Sequence, residues 1–209
     1  MPLDQEVWDT MITDPRPRSI AKHAEYDRSD RLVTLGLPGQ SRLCDLALGI
    51  QSAMSSELKQ QVQAACNQWM TEAARCFSVS RPTVRVLGSR PLRVYETVST
   101  ELFGDYQPKT TVIRVWMRTA VQKRVTSFGT LLNTLCHEFC HHLDIVRLGF
   151  PGSLHTRGFY QRTAVLYNHC RGTPLRPLIW RRIPKDRWTI YWMQMNRVRA
   201  GIETSAKDL

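Results

Sequence analysis

The chain has 209 residues, 42% hydrophobic and 22% charged, which suits one globular domain with an appended segment and can bury a sizeable core. A net charge of +11 is too dilute over this length to force disorder, and no apolar run approaches the roughly 18 residues needed to span a bilayer. Collagen-like and membrane-spanning chains are excluded, and Met1 to Glu6 show no basic region leading into an apolar one, so no secretory leader is expected.

In chain order, residues 1–50 show no sustained period and carry turn chemistry around Pro15 and Pro17 and around Gly36 and Gly39. They are expected to form a peripheral arm with one short helix. From Ser55 to Phe77, apolar or small residues recur at 58, 62, 65/66, 69, 73 and 76/77, the spacing of a helix with one buried stripe; Trp69 belongs to that core. Thr83 to Leu87 reads as a strand ended by Gly88, and Leu92 to Val98 as a second. Gly104 to Pro108 has the composition of a turn. Thr110 to Arg118 follows as a stronger strand, with Ile113, Val115 and Met117 on one face. Thr126 or Ser127 can cap a helix from Phe128 to Leu148, ended by Gly149 and Pro151, and a last helix is expected from His155 to Cys170. The six cysteines form no C-x-x-C pair and are expected as reduced, mostly buried thiols of a cytoplasmic protein.

Charge is unevenly placed. The basic excess falls on residues 51–127 and 171–209, and 23 of the 29 basic residues are Arg, the type that pairs bidentately with phosphate and stacks on bases. Within 173–209, Arg181 and Arg182 alternate with Trp180, Trp188, Tyr191 and Trp192. Cations beside aromatic platforms are what single-stranded nucleic acid binding uses. Arg181, Arg182, Trp188 and Trp192 are therefore nucleic-acid candidates, with single-stranded DNA the expected partner. The competing reading is a tail whose aromatics pack on the domain while its Arg residues stay solvated.

The stretch with most chemical content is His137, Glu138, Phe139, Cys140, His141, an H-E-x-x-H match inside a predicted helix. His141 falls ~40° around the helix and ~6 Å along the axis from His137. Two imidazoles so placed reach one tetrahedral Zn²⁺, and Glu138 is long enough to reach an activated water as general base. Phe128, Leu132, Leu135, Phe139 and Val146 share the opposite face and are expected in the core.

A catalytic zinc needs a third protein ligand. His155 is the first choice, folded back by the turn from Gly149 to Leu154; Asp144 and His142 compete. Asp144 lies about 10 Å along the axis from His137, too far for a short carboxylate to join both histidines, and reads as a partner orienting an imidazole N–H. His142 points ~100° from His141 and reads as structural or surface. His169 reads as a satisfied histidine, and Cys136 and Cys140 as buried small residues. A metal-dependent ribonuclease with a third histidine six residues after the second is set aside, because Arg147 stands there.

The run from Leu131 to His142 (LLNTLCHEFCHH), followed by Leu154 to Tyr160 (LHTRGFY), resembles the SprT-like zinc metalloproteases. Those carry H-E-x-x-H on one helix and a third histidine ahead of a nearby Phe in the next. The resemblance covers roughly residues 52–172. It implies one zinc per chain held by His137, His141 and His155, with Glu138 as general base and Phe159 packed beneath. It also implies an α+β fold of the minimal zincin-like kind: an N-terminal helix, a small, mostly antiparallel sheet, the H-E-x-x-H helix, and a following helix bearing the third ligand. The strand from Thr111 to Arg118 would then be the edge to which an extended substrate adds. The glycine usual after the third histidine is Thr156 here, with Gly158 two positions later, and the paired cysteines of a zinc ribbon are missing.

The expected organisation is an arm (1–50), a metalloprotease domain (51–172) and a basic, aromatic extension (173–209). The expected function is zinc-dependent hydrolysis of protein or peptide substrates, including nucleic-acid-associated proteins, which would place the enzyme at the nucleoid or in a nucleus. Tyr160 and Arg157 are candidates to hold the oxyanion. The rival class is a nucleic-acid-binding protein with a structural zinc and no protease activity. Glu138→Gln separates them: a protease loses activity but keeps its metal, while a structural site loses no function.

Overall fold

The computed structural model of the chain describes residues 11–37, 39, 41–95, 98–175, 177–191 and 193–195. The architecture is α+β. In chain order come helices α1 (Ile20–Arg31), α2 (Leu43–Ser55) and α3 (Lys59–Cys76), strands β1 (Thr83–Ser89), β2 (Leu92–Tyr95), β3 (Val98–Glu101), β4 (Gly104–Gln107) and β5 (Val112–Arg118), and helix α4 (Phe128–Leu143). A π-helical turn (Asp144–Leu148) extends α4, and helix α5 (Arg157–Arg171) and the hairpin β6 (Trp180–Ile183) and β7 (Arg187–Ile190) follow. Among the described residues no helix is long and apolar enough to cross a membrane. The chain divides into two compact units, the larger of Thr34–Ser153 with Arg162–Leu175, the smaller of Met1–Val33, Leu154–Gln161 and Arg176–Leu209.

In the larger unit the sheet order is β1-β5-β4, with β1 parallel and β4 antiparallel to β5, and β2 and β3 form a separate hairpin. The strand expected at the edge is therefore central. Gly104 to Gln107 forms the edge strand β4 instead of a turn, because its polar residues still alternate across a partner: Asp105 sits opposite Arg114, and the two side chains form an ion pair. The outer edge of β1 is closed by Gln63 of α3, which accepts from Val86 N at 2.8 Å and donates to Val84 O at 2.9 Å. That leaves β4 as the edge without such a cover among the described residues.

The long helix expected over 55–77 starts later, at Lys59. Glu57 adopts φ 56, a left-handed conformation that a continuous helix cannot hold, so the chain turns between α2 and α3. Leu58 is exposed as a result, whereas Val62, Cys66, Trp69 and Ala73 are buried as a stripe. Trp69 meets Phe139 of α4 edge-on at 5.9 Å, so α3 and α4 share one core. Ser127, not Thr126, caps α4: its Oγ accepts from Thr130 N at 3.0 Å. Leu132, Leu135 and Phe139 are fully buried, but Val146 is 42% exposed. It lies in the π-helical turn, whose wider repeat rotates it off the apolar face.

In the smaller unit residues 11–13 lie beside β7 as a further strand. Ile12 bridges Thr189, Thr13 N donates to Trp188 O at 2.8 Å, and Trp188 N donates to Thr13 Oγ1 at 2.8 Å. Residues 11–13, within the expected arm, thus pair with β7, within the expected extension. Helix α1 lies against the start of α5 at Gly158, where an added Cβ would come within 2.0 Å of Ser29 O and 2.7 Å of Asp30 O. Only glycine permits that approach. Helix α5 begins two residues after His155 rather than at it, because the Thr156 hydroxyl accepts from Phe159 N at 3.0 Å and caps it.

Candidate metal centre

Helix α4 presents His137 and His141 half-exposed on the face opposite its core residues. Their rings stand edge to face at 4.9 Å, and the two Nε2 atoms are 3.2 Å apart. Two nitrogens each 2.0–2.1 Å from a tetrahedral ion stand about 3.3 Å apart, so this separation suits a shared metal. His137 and His141 can thus offer two ring nitrogens to one metal ion, while His155, the expected third ligand, belongs to the smaller unit.

Glu138 is buried on α4 beside the first histidine. Burial, with the Asp105 carboxylate adding to it, pushes its carboxyl up to about 8. Gly104 of β4 lies against this side chain: an added Cβ would stand 2.9 Å from Glu138 Oε1 and 2.5 Å from Thr134 Cγ2. The edge strand can therefore approach α4 only because residue 104 has no side chain.

Of the competing ligands, His142 is structural. It is fully buried, with Nδ1 2.9 Å from the Tyr106 hydroxyl and Nε2 2.8 Å from Ser80 O. Asp144 reaches the imidazoles through an intermediary that sequence reading missed. The Ser153 hydroxyl donates to Asp144 Oδ2 at 3.2 Å and lies 2.8 Å from His141 Nδ1. With Nδ1–H given to Ser153, His141 keeps Nε2 for a metal. Asp144 is itself held by Arg162, whose Nη2 donates to Oδ1 at 2.9 Å and Oδ2 at 3.1 Å. Nothing local marked Arg162, which sits 18 positions from its partner, between Gln161 and Thr163.

Cys136 and Cys140 are buried, and burial pushes both thiols up, that of Cys140 to about 12. Neither is poised as a thiolate ligand. His169 is satisfied by Ser41 Oγ at 2.8 Å.

In the smaller unit, Phe159 is fully buried with its ring edge-on to His155 at 5.2 Å, as expected of a residue beneath the ligand. Tyr160 stacks on the same imidazole at 5.6 Å and donates its hydroxyl to Ile12 O at 3.1 Å, while burial pushes its phenol well above the usual range. Arg157 is forked onto Asp30 and lies 4.6 Å over the Trp188 ring. Neither oxyanion candidate is idle: each holds a partner within its own unit.

The nucleic-acid candidates divide. Arg181 is exposed and lies 5.7 Å over Tyr191, Arg182 pairs with Asp186 at 2.5 Å, and Trp192 lies outside the described residues. Arg182 and Trp188 line an open cleft of about 420 Å³ that also holds Arg16 and Arg157. Each of its three arginines is matched by a carboxylate, Asp27, Asp30 or Asp186, so the cleft is electrically balanced. Compared with protein-family models, curated proteins and solved structures, the chain matches none.

Proposed function

We propose that the chain is a zinc-dependent metallopeptidase with a minimal zincin-like core. The observation that carries this reading is the pair of imidazole nitrogens 3.2 Å apart on α4 with the buried Glu138 on the same helix, to which the sequence adds His155 as third ligand. An all-imidazole set of His137, His141 and His155 would suit zinc. Zinc held by them would supply Lewis acidity, polarising a carbonyl and making water acidic near neutral pH.

Glu138 takes the proton as the water attacks the scissile carbonyl and returns it to the leaving amine nitrogen. Its burial favours the protonated form, and a cation beside it favours the carboxylate, so the group works near neutrality in both roles. The uncovered edge of β4 suits an extended peptide added as a further strand, with Gly104 bringing that peptide close to Glu138. Substrates are thus unfolded or extended protein segments. Nucleic-acid-associated proteins fit the basic charge of the chain, with the exposed Arg181, lying over Tyr191, as a contact.

The test is metal content and peptidase activity of wild type beside Glu138→Gln and His155→Ala. The reading expects about one zinc per chain, bound far more weakly by His155→Ala and kept in Glu138→Gln, with activity lost in both. A folded wild type without tightly bound metal, or an active Glu138→Gln, would overturn it.

A further inference from the structure

The strand formed by residues 11–13 ends directly at the third histidine. Asp14 N donates to His155 O at 2.8 Å, and His155 N donates to Asp14 Oδ2 at 2.9 Å. The same Oδ2 lies 3.3 Å from His155 Nδ1. One residue of the N-terminal segment therefore holds both the backbone and the ring of His155. The other side of the support comes from the same segment, since Tyr160, stacked on the His155 imidazole, donates its hydroxyl to Ile12 O at 3.1 Å. Residues 11–13 are in turn fixed by β7 through Thr13 and Trp188.

A neutral imidazole that binds a metal through one nitrogen donates through the other, and a carboxylate at that second nitrogen fixes the tautomer and makes the ring a stronger ligand. We propose that Asp14 is the positioning residue of the third metal ligand, its carboxylate accepting from His155 Nδ1 so that Nε2 faces the metal. On this account the N-terminal segment, held by the β6–β7 hairpin, sets the orientation of the third ligand within its own unit. Stability alone does not explain the approach of Oδ2 to Nδ1: the Asp14 and His155 side chains are 40% and 32% exposed, and a side-chain contact so wet contributes little to folding. The inference rests on the metal reading of the three histidines.

The experiment measures zinc affinity of the full chain by chelator competition, with the visible spectrum of the Co²⁺-substituted protein as a report on ligand geometry. Wild type, Asp14→Asn, Asp14→Ala, His155→Ala and the Asp14→Ala/His155→Ala double variant are compared. Asp14→Ala is expected to weaken zinc about 10–100-fold and to change the Co²⁺ spectrum, with the metal-free melting temperature near that of wild type. Asp14→Asn keeps an acceptor for His155 N but loses the charge, and is expected to fall between. In the His155→Ala background, removing Asp14 should cost no further affinity, which a general loosening of the fold would not reproduce. Zinc bound by Asp14→Ala and Asp14→Asn as tightly as by wild type, with an unchanged spectrum, overturns the inference and leaves the metal reading intact. Should Asp14→Ala fail to fold, Asp14→Asn decides alone on the same criterion. A wild type that binds no zinc overturns the metal reading itself.

Discussion

Replacing Arg162 by Met tests the electrostatics at the C-terminal end of helix α4. Arg162 and Asp144 have side chains with 0% exposure, and one guanidinium nitrogen reaches both carboxylate oxygens. Methionine fills much of the same volume, so packing changes little, but Asp144 is left as a buried charge without its cation. Breaking one half of such a pair costs about 3–5 kcal/mol, because the remaining ion keeps its desolvation penalty and loses its Coulomb gain. For a chain of this length that is a fall in melting temperature of roughly 6–20 °C. The companion variant Asp144→Asn/Arg162→Met removes both charges while leaving an amide oxygen to accept from Ser153. It should recover more than half of the loss. The assay is thermal unfolding of metal-free protein followed by circular dichroism. A fall of less than about 2 °C in Arg162→Met, or a double variant no better than the single, would show that Asp144 is not buried as an ion and refute the reasoning.

Two further perturbations separate chemistry from stability. Gly104→Ala drives a Cβ towards Thr134 and Glu138; overpacking of this kind costs about 1–3 kcal/mol, and the displaced carboxylate should lower kcat at least tenfold while zinc content stays at the wild-type level. A Gly104→Ala variant with wild-type kcat would remove β4 from the active site. Glu72 is held by Arg75, whose hydrogen bonds keep its carboxyl down at about 2. A carboxyl lowered in the folded state stabilises above its unfolded value of about 4.5 and loses that contribution as pH falls towards 2. Because Arg75 is open to solvent, Glu72→Gln should cost no more than about 1 kcal/mol at pH 7, and urea midpoints of variant and wild type should draw together as the pH falls from 4.5 to about 2. A gap that persists there would mean the side chain matters for its shape and not its charge.

What the sequence made legible is what short-range periodicity encodes. The 3.6-residue stripe around Trp69, the Ser127 cap and the opposed apolar and imidazole faces of α4 all lie within a few turns of one helix, where neighbours in sequence are neighbours in space. The turn that carries His155 was legible for a related reason, since it is short and follows directly on α4 and its π-helical extension. The misreadings have a common cause. Gly104, Asp105 and Pro108 have the composition of a turn, and what makes Gly104 to Gln107 a strand is an ion pair across to Arg114 and a helix too close for any side chain at 104. Val146 continues the apolar stripe on an ideal wheel, but the π-helical turn breaks that wheel.

The supports of the candidate ligands were the least legible part, and the reason is physical. A metal-binding imidazole needs its second nitrogen directed, and the group that directs it has to approach from outside the helix or turn that carries the ligand. For His141 that group is Ser153, backed by Asp144 and Arg162; for His155 it is Asp14, which is 141 positions away in sequence. No local pattern links such pairs, because any acceptor held rigidly at the right place would serve, whatever segment supplies it. Ligand residues are constrained in type and spacing by the metal, but their partners are constrained only in position. Sequence motifs therefore reach the inner ring of such a centre, and the outer ring becomes visible only once the chain is folded.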